Sequence, residues 1–352
     1  MRASLLVLLS LLIISGCAVP ATPIATQTLP APTATQTLTP VPPAPTITFT
    51  PTPTPHPMFI EGMRAGYYPG SDIVIEKELE PGPNYHRYYA YYLSEGLKIY
   101  ALLTVPNEEM PADGYPAIVF NHGYISPDVY VTTERYTNYV GRLASSGYIV
   151  FRIDYRGHDR SEGEATGAYG DPGYLVDVLN AVSSLKRFPQ ANPEKIGVWG
   201  HSMGGFLTLR AMVISRDIKA GVIWAGVVAP YPDLLYNWRR SGSFTPSPSS
   251  RGVGWRTEWI EFYGTPEENP AFWDSVSANS YLSDLSGPIQ LHHGTEDEDV
   301  PLAFSENLAV HLRTLGLPYE FYIYEGDNHN LSKYFTTAMN RTIEFFDRYL
   351  KE

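Results

Sequence analysis

Cysteine is nearly absent from this chain, whose only one is Cys17. A single cysteine excludes an intrachain disulfide and a thiolate metal cluster, and its place in residues 1–17, a predicted signal segment, removes it as a thiol nucleophile of a folded domain. The chemistry of the protein must therefore depend on other side chains.

Positive charge is also scarce. The chain has 25 Lys and Arg residues against 37 Asp and Glu residues, for a net charge of −12. Nucleic-acid binding needs a basic patch, and electrostatic docking on anionic lipid needs one too. We therefore expect no nucleic-acid partner. No apolar run after residue 17 is long enough to predict a transmembrane helix.

Residues 1–17 have the pattern of a signal peptide: Arg2 precedes a short apolar stretch at residues 5–14. The end of this segment, Ile14-Ser15-Gly16-Cys17, resembles a bacterial lipobox, in which Cys17 would be lipidated. We expect an extracytoplasmic protein of a bacterial cell envelope that is anchored in the membrane through lipid on Cys17. The alternative is an ordinary secretory signal and a secreted protein.

Residues 18–57 contain twelve prolines and twelve threonines but no Asp, Glu, Lys or Arg. Such a segment cannot bury a core, so we predict a disordered, extended linker. Residues 58–352 are enough for one large domain.

Strand and helix patterns alternate through that domain. Residues 73–79, 85–93 and 97–105 predict an antiparallel start to a sheet. From residue 117 onward, strands alternate with helices, the first of which is predicted at 134–145. This order predicts an α/β fold with a mostly parallel central sheet and helices on both faces.

A Gly-x-Ser-x-Gly sequence lies between the predicted strand 195–199 and the predicted helix 206–213. This context is typical of a nucleophile elbow, a strained turn that presents its serine, here Ser202, to a substrate. Gly200 and Gly204 would be needed because larger side chains would collide with the neighbouring strand and helix. The alternative is a glycine-rich helix start that packs closely on a strand.

A nucleophilic serine needs a base to take its proton and an acid to orient that base. Carboxylates follow the predicted strand 289–292, where the carboxyl ends of parallel strands gather active groups. We choose Asp297 as the acid, with Asp299 as the main rival and then Glu296.

The base is predicted to be His329, in the loop after the predicted strand 319–324. The order of nucleophile, acid and histidine along the chain agrees with this assignment. The oxyanion of the reaction would be held by the backbone N–H groups of Met203 and Tyr124, with Gly123 allowing the turn before Tyr124.

His292 and His293 are adjacent on a predicted strand, where successive side chains point to opposite faces and cannot chelate one ion together. We expect no metal site and no cofactor.

Residues 231–285 interrupt the alternation of strands and helices and are rich in aromatic side chains. A long insertion at the carboxyl end of a sheet is a suitable place for a lid over the substrate. Trp238, Trp255 and Trp259 are candidates for substrate contact, although most of the aromatics would only pack the insertion onto the domain.

Residues 99–350 resemble the α/β-hydrolase superfamily, and within it the catalytic domain of the prolyl oligopeptidase family and its esterase relatives. The resemblance rests on motifs that begin at Asn121, Asp154, Gly200, His293 and Asn328. It implies that the last residue of His-Gly-Thr-Glu-Asp, Asp297, is the acid. One departure is Asp159, where related hydrolases usually have glycine. The chain also has no room for the substrate-gating propeller of the oligopeptidases, so dipeptidyl specificity is not implied.

These features predict a serine hydrolase that cleaves a small ester, an amide or a short peptide through an acyl-enzyme. Two alternatives remain at this point. One is a catalytically silent hydrolase domain that acts as a surface-tethered binding module, and the other is a metal-dependent hydrolase.

Overall fold

The computed structural model describes residues 56–238 and 254–352. The predicted signal peptide, Cys17, all but the last two residues of the predicted linker, and residues 239–253 of the predicted lid lie outside the described residues. His56, the first described residue, packs against the domain, with its ring 4.6 Å from that of Trp259.

The strands form one sheet in the order β1-β2-β3-β5-β4-β6-β7-β8-β9. They are β1 (Val74–Leu79), β2 (Tyr85–Ser94), β3 (Leu97–Pro106), β4 (Tyr115–Asn121), β5 (Ile149–Ile153), β6 (Ala191–His201), β7 (Ala220–Trp224), β8 (Ile289–Gly294) and β9 (Tyr319–Tyr324). The pairs from β1 to β3 are antiparallel, as is the pair of β3 with β5. All pairs from β5 to β9 are parallel.

The α-helices of the described residues are α1 (Ile60–Arg64), α2 (Thr137–Ala144), α3 (Gly173–Arg187), α4 (Met203–Ile214), α5 (Tyr231–Tyr236), α6 (Trp255–Tyr263), α7 (Pro270–Val276), α8 (Leu302–Thr314) and α9 (Phe335–Phe346). Short 3₁₀ segments occur at Pro127–Val129 and Ala278–Asp284, and a π-helical turn follows α9 at Asp347–Lys351. Within residues 56–238 and 254–352, no helix is both long enough and apolar enough to span a bilayer.

Alternating strand residues face two apolar clusters, which is why both faces of the sheet are covered. On β4, Val119 belongs to the cluster that contains buried residues of α3, α4 and α8. Its neighbours Ile118 and Phe120 belong to the opposite cluster, with buried residues of α2 and α9. The predicted α/β class and mostly parallel sheet are confirmed.

Helix α2 begins three residues later than the predicted helix 134–145. Arg135 and Tyr136 have positive φ angles of 52° and 49°, which end any helical geometry before Thr137. The buried guanidinium of Arg152 hydrogen bonds to the main-chain oxygens of Thr132, Glu134 and Arg135, and these bonds hold the loop in this conformation. Propensity alone does not reveal this constraint, because it comes from a residue on β5.

Candidate active site

Ser202 lies between the end of β6 and the start of α4, with φ 56° and ψ −118°. A positive φ is strained for a residue with a side chain, and here neighbouring backbone holds it. The N–H of Ser202 donates to the oxygen of Trp224 on β7 (3.0 Å), and its carbonyl oxygen accepts from Val227 (3.1 Å). The strand–turn–helix context therefore presents Ser202 at the carboxyl edge of the parallel sheet.

Gly200 and Gly204 are the small residues on either side of this turn. A Cβ atom on Gly204 would overlap the main-chain oxygen of Asn121 on β4, and one on Gly200 would overlap the main-chain oxygen of Gly204. Because both obstacles are backbone atoms, neither can move aside cheaply. The turn can pass this close to β4 only with glycine at these positions.

His329 and Asp297 are joined by a hydrogen bond. Nδ1 of His329 lies 2.8 Å from Oδ2 of Asp297, whose side chain is 1% exposed. The other carboxylate oxygen of Asp297 accepts the main-chain N–H groups of Asp299 and Val300, both at 2.9 Å. Of the three candidate acids, Asp297 is the one that hydrogen bonds to His329 in the described residues.

A second histidine contacts the same carboxylate. Nε2 of His293 lies 3.1 Å from Oδ2 of Asp297 and 3.0 Å from the oxygen of Val300. Burial on its own would raise the pKa of Asp297. The hydrogen bonds from His293 and His329 outweigh it and hold the pKa below its ordinary value. Asp297 is therefore a stable anion beside His329.

The loop that carries His329 is shaped by Asp327, which is 2% exposed. Its carboxylate accepts the main-chain N–H groups of Asn328, Lys333 and Tyr334 at 2.9 to 3.0 Å. The sequence analysis considers His293 only as a metal ligand and does not consider Asp327, although each lies within four residues of a predicted site residue. A carboxylate two residues before a predicted base in a tight loop is a signal that could have found Asp327.

Ser202 and His329 line one cavity of about 480 Å³, together with Gly123, Tyr124, Ile125, Arg135, Tyr136, Tyr139, His201, Asp299 and Asn330. Tyr124, whose backbone N–H is a predicted oxyanion donor, is among these lining residues. Met203 directly follows Ser202 and is the first residue of α4, where N–H groups lack intrahelical acceptors. Within the described residues, Ser202 and His329 are not hydrogen bonded to each other. Such bonds are often long without substrate and shorten in the reactive complex.

The three tryptophans expected as candidate substrate contacts do not line this cavity. Trp255 and Trp259 are 3% exposed and pack against each other and Tyr231, with ring centroids 5.1 to 5.3 Å apart. Trp238 is 7% exposed, and its Nε1 donates to the main-chain oxygen of Asp299 (2.9 Å). All three side chains are buried within the domain. No residue of 231–238 or 254–285 lines the cavity.

Asp159, a departure from the pattern that the resemblance implies, has a positive φ of 47°. Its Oδ2 accepts the N–H (3.1 Å) and the hydroxyl (2.8 Å) of Thr132. A left-handed backbone favours glycine, and the two hydrogen bonds offset the strain for aspartate. Asp159 thereby ties the loop after β5 to the loop that leads into α2.

His292 and His293 point to opposite faces of β8, as predicted. His292 hydrogen bonds to Tyr324 (2.8 Å) and Gln290 (2.6 Å), whereas Nδ1 of His293 contacts the hydroxyl of Ser305 (2.8 Å). In the part of the chain that the structure describes, no group of three or more His, Cys, Asp or Glu side chains could hold a metal ion.

A family model for the prolyl oligopeptidase family matches residues 135–352. The uncharacterized peptidase YtmA of Bacillus subtilis is 27% identical over 274 residues, which cover 77% of this chain and 96% of that protein. Dipeptidyl peptidase 8 of Homo sapiens is 26% identical over 256 residues. That match covers 69% of this chain but only 26% of the human protein.

Among solved structures, the acylaminoacyl peptidase of Pyrococcus horikoshii is 26% identical with a TM-score of 0.60, covering 76% of this chain and 42% of that one. Acetyl xylan esterase 1 from Thermoanaerobacterium sp. has a TM-score of 0.59 at 16% identity, covering 82% and 90%. The esterase shares the fold over nearly its whole length. These matches confirm the resemblance inferred from the sequence.

Proposed function

Because the chain belongs to the prolyl oligopeptidase family and is a serine hydrolase, we propose that it cleaves ester or peptide bonds through an acyl-enzyme on Ser202. The observation that carries the proposal is the hydrogen bond between His329 and Asp297, at the cavity that Ser202 also lines. It supplies an oriented imidazole where a serine nucleophile needs one.

In this mechanism, Nδ1–H of His329 donates to Asp297, so Nε2 is left to take the proton of Ser202. The serine oxygen attacks the substrate carbonyl, and the N–H groups of Tyr124 and Met203 stabilise the oxyanion. One such donor contributes about 2.7–4 kcal/mol to the transition state. His329 then returns the proton to the leaving group, and water releases the acyl group by the same steps.

The cavity suits a small substrate. Its charged lining residues are Arg135 and Asp299, both of which have exposed side chains. This lining suits a short peptide or a small ester with a polar or charged group. The similarity to peptidases supports a peptide substrate for this protein, whereas the similarity in fold to an esterase supports an ester substrate.

Labelling with a fluorophosphonate probe tests the proposal. We expect the wild-type protein to be labelled and Ser202→Ala to be neither labelled nor active. Turnover of a p-nitrophenyl ester and of a chromogenic peptide by the same preparation then separates esterase from peptidase. A folded wild-type protein that is not labelled would favour the binding module, and full activity in Ser202→Ala would refute the mechanism.

We also propose that the domain is held at a bacterial cell surface by lipid on Cys17, with residues 18–57 as the tether. The support is the lipobox-like sequence and the charge-free, proline-rich segment after it. Expression in a bacterial host with a labelled fatty acid tests this. The wild-type protein should carry the label in the membrane fraction, and Cys17→Ser should not.

A further inference from the structure

A continuous chain of hydrogen bonds links the loop of Tyr124 to the loop of His329. The N–H of Gly123 contacts the hydroxyl of Tyr136 (3.0 Å), and that hydroxyl contacts Nδ1 of His201 (2.7 Å). Nε2 of His201 contacts the main-chain oxygen of His329 (2.9 Å). His201 is 2% exposed, so these bonds are protected from competition with water.

The direction of each bond follows from its neighbours. The carbonyl of His329 can only accept, so Nε2 of His201 carries the proton. Burial, reinforced by the nearby His329, lowers the pKa of His201 to about 3, so its ring is neutral and its Nδ1 accepts. The hydroxyl of Tyr136 must then donate to Nδ1 and accept from Gly123. All three hydrogen bonds are therefore donated in the same order, and each of these polar groups has a partner.

Packing makes this connection rigid. A Cβ atom on Gly123 would lie 2.8 Å from the hydroxyl of Tyr136 and 3.2 Å from Nδ1 of His201. The rings of His201 and His329 are also in contact, with centroids 4.6 Å apart. A small displacement of Tyr136 or His201 would therefore be transmitted to the residues on either side.

We propose that Tyr136 and His201 are positioning residues, which together set the distance between the oxyanion donor at Tyr124 and the imidazole of His329. Gly123 directly precedes Tyr124, and His201 holds the backbone of His329 itself. One hydrogen-bonded unit would then position both the N–H group that stabilises the oxyanion and the imidazole that transfers the proton. This inference rests on the proposed function.

The test compares kcat and KM for a p-nitrophenyl ester in Tyr136→Phe, His201→Leu and the double variant. Misplacement of reacting groups by about 1 Å can cost about 100-fold, so we expect each single variant to lower kcat by about 10- to 100-fold with little change in KM. Because residues that act as a unit are non-additive, the double variant should lose little more than the worse single variant.

His201→Gln is the rescue variant, since its side-chain amide can still donate to the oxygen of His329. Its kcat should exceed that of His201→Leu. Tyr148→Phe is the matched control, because it removes a hydroxyl of a buried tyrosine that bonds to Asp347 (2.6 Å) away from the cavity. We expect Tyr148→Phe to lower the melting temperature without lowering kcat.

Unchanged kcat in Tyr136→Phe, or losses that multiply in the double variant, would overturn the inference. If His201→Leu does not fold, Tyr136→Phe and His201→Gln decide it, and the absence of any kcat loss in Tyr136→Phe again counts against it. Failure of the proposed function is recognised separately: either the folded wild-type protein is inactive and is not labelled by a fluorophosphonate, or Ser202→Ala retains activity, whatever the other variants do.

Discussion

Nε2 of His293 lies 3.1 Å from Oδ2 of Asp297, the same oxygen that accepts a hydrogen bond from Nδ1 of His329. An asparagine amide at position 297 is uncharged and would accept hydrogen bonds from the two histidines less well than the carboxylate does. Asp297→Asn should therefore lower kcat by roughly 10²- to 10⁴-fold while the protein stays folded. Steady-state kinetics with a p-nitrophenyl ester measure this loss.

Asp299→Asn is the control, since it changes the rival carboxylate two residues away. Its side chain lines the cavity but makes no hydrogen bond to His329 in the structure. We expect a much smaller change in kcat. A larger loss in Asp299→Asn than in Asp297→Asn would reverse the assignment of the acid.

The second prediction concerns Asp327, whose carboxylate accepts three main-chain N–H groups of the His329 loop. Asp327→Ala leaves these donors without an acceptor, at a cost of about 1–3 kcal/mol for each one that stays buried. Both the free energy of unfolding and kcat should fall. Asp171→Ala, which removes a contact to the N–H of Gly173 (2.8 Å), should leave kcat unchanged.

The third prediction is an acid-induced loss of stability that begins near pH 6.5. Burial lowers the pKa of His201 to about 3 and that of His158 to about 4, against about 6.5 in an unfolded chain. Between these pH values the unfolded state binds more protons than the folded state. The stability that the two neutral histidines contribute is therefore fully present above pH 6.5 and is lost as the pH falls. Asp154 opposes this loss: burial raises its pKa to about 7, so the folded state binds a proton there as the pH falls below 7.

The contribution of His201 is isolated by comparing wild type with His201→Gln, which cannot titrate. The drop in melting temperature between pH 7.5 and pH 5 should be smaller in His201→Gln. The same drop in both proteins would show that the neutral state of His201 does not contribute to the acid sensitivity.

The sequence was most informative where chemistry and local pattern coincide. The elbow at Ser202, the strand ends at Asp297 and His329, and the parallel sheet all follow from short patterns with a known physical reason. In the structure, Nδ1 of His329 lies 2.8 Å from Oδ2 of Asp297. No local pattern contains that distance, because the topology of a parallel sheet implies only that the loops after neighbouring strands lie at the same edge.

The features that sequence reasoning missed depend on contacts between distant segments. The sequence pattern assigns no role to His201, although it contacts Tyr136, 65 positions away, and His329, 128 positions away. Composition makes Trp238, Trp255 and Trp259 candidates for substrate contact, but it does not show that they are buried elsewhere in the domain. Tertiary packing, which includes His56 beside Trp259, determines their position.

The fourth prediction concerns Arg135, which lines the cavity from a left-handed backbone position. A guanidinium there favours a substrate with a carboxylate or another anionic group. Arg135→Gln should raise KM for an anionic ester more than for a neutral ester of the same size, with Arg135→Lys in between. Equal changes in KM for the two esters would show that Arg135 does not select for charge.

The fifth prediction tests the closeness of the elbow to β4. In Gly204→Ala, the new Cβ atom would overlap the main-chain oxygen of Asn121, which cannot rotate away. Because the elbow must then move away from β4, we expect loss of fluorophosphonate labelling and a lower melting temperature. Gly254→Ala is the matched control, since its φ is −78° and a Cβ atom there meets nothing within 4 Å. Normal labelling of Gly204→Ala would mean that the turn tolerates a side chain and that the close approach is not needed to present Ser202.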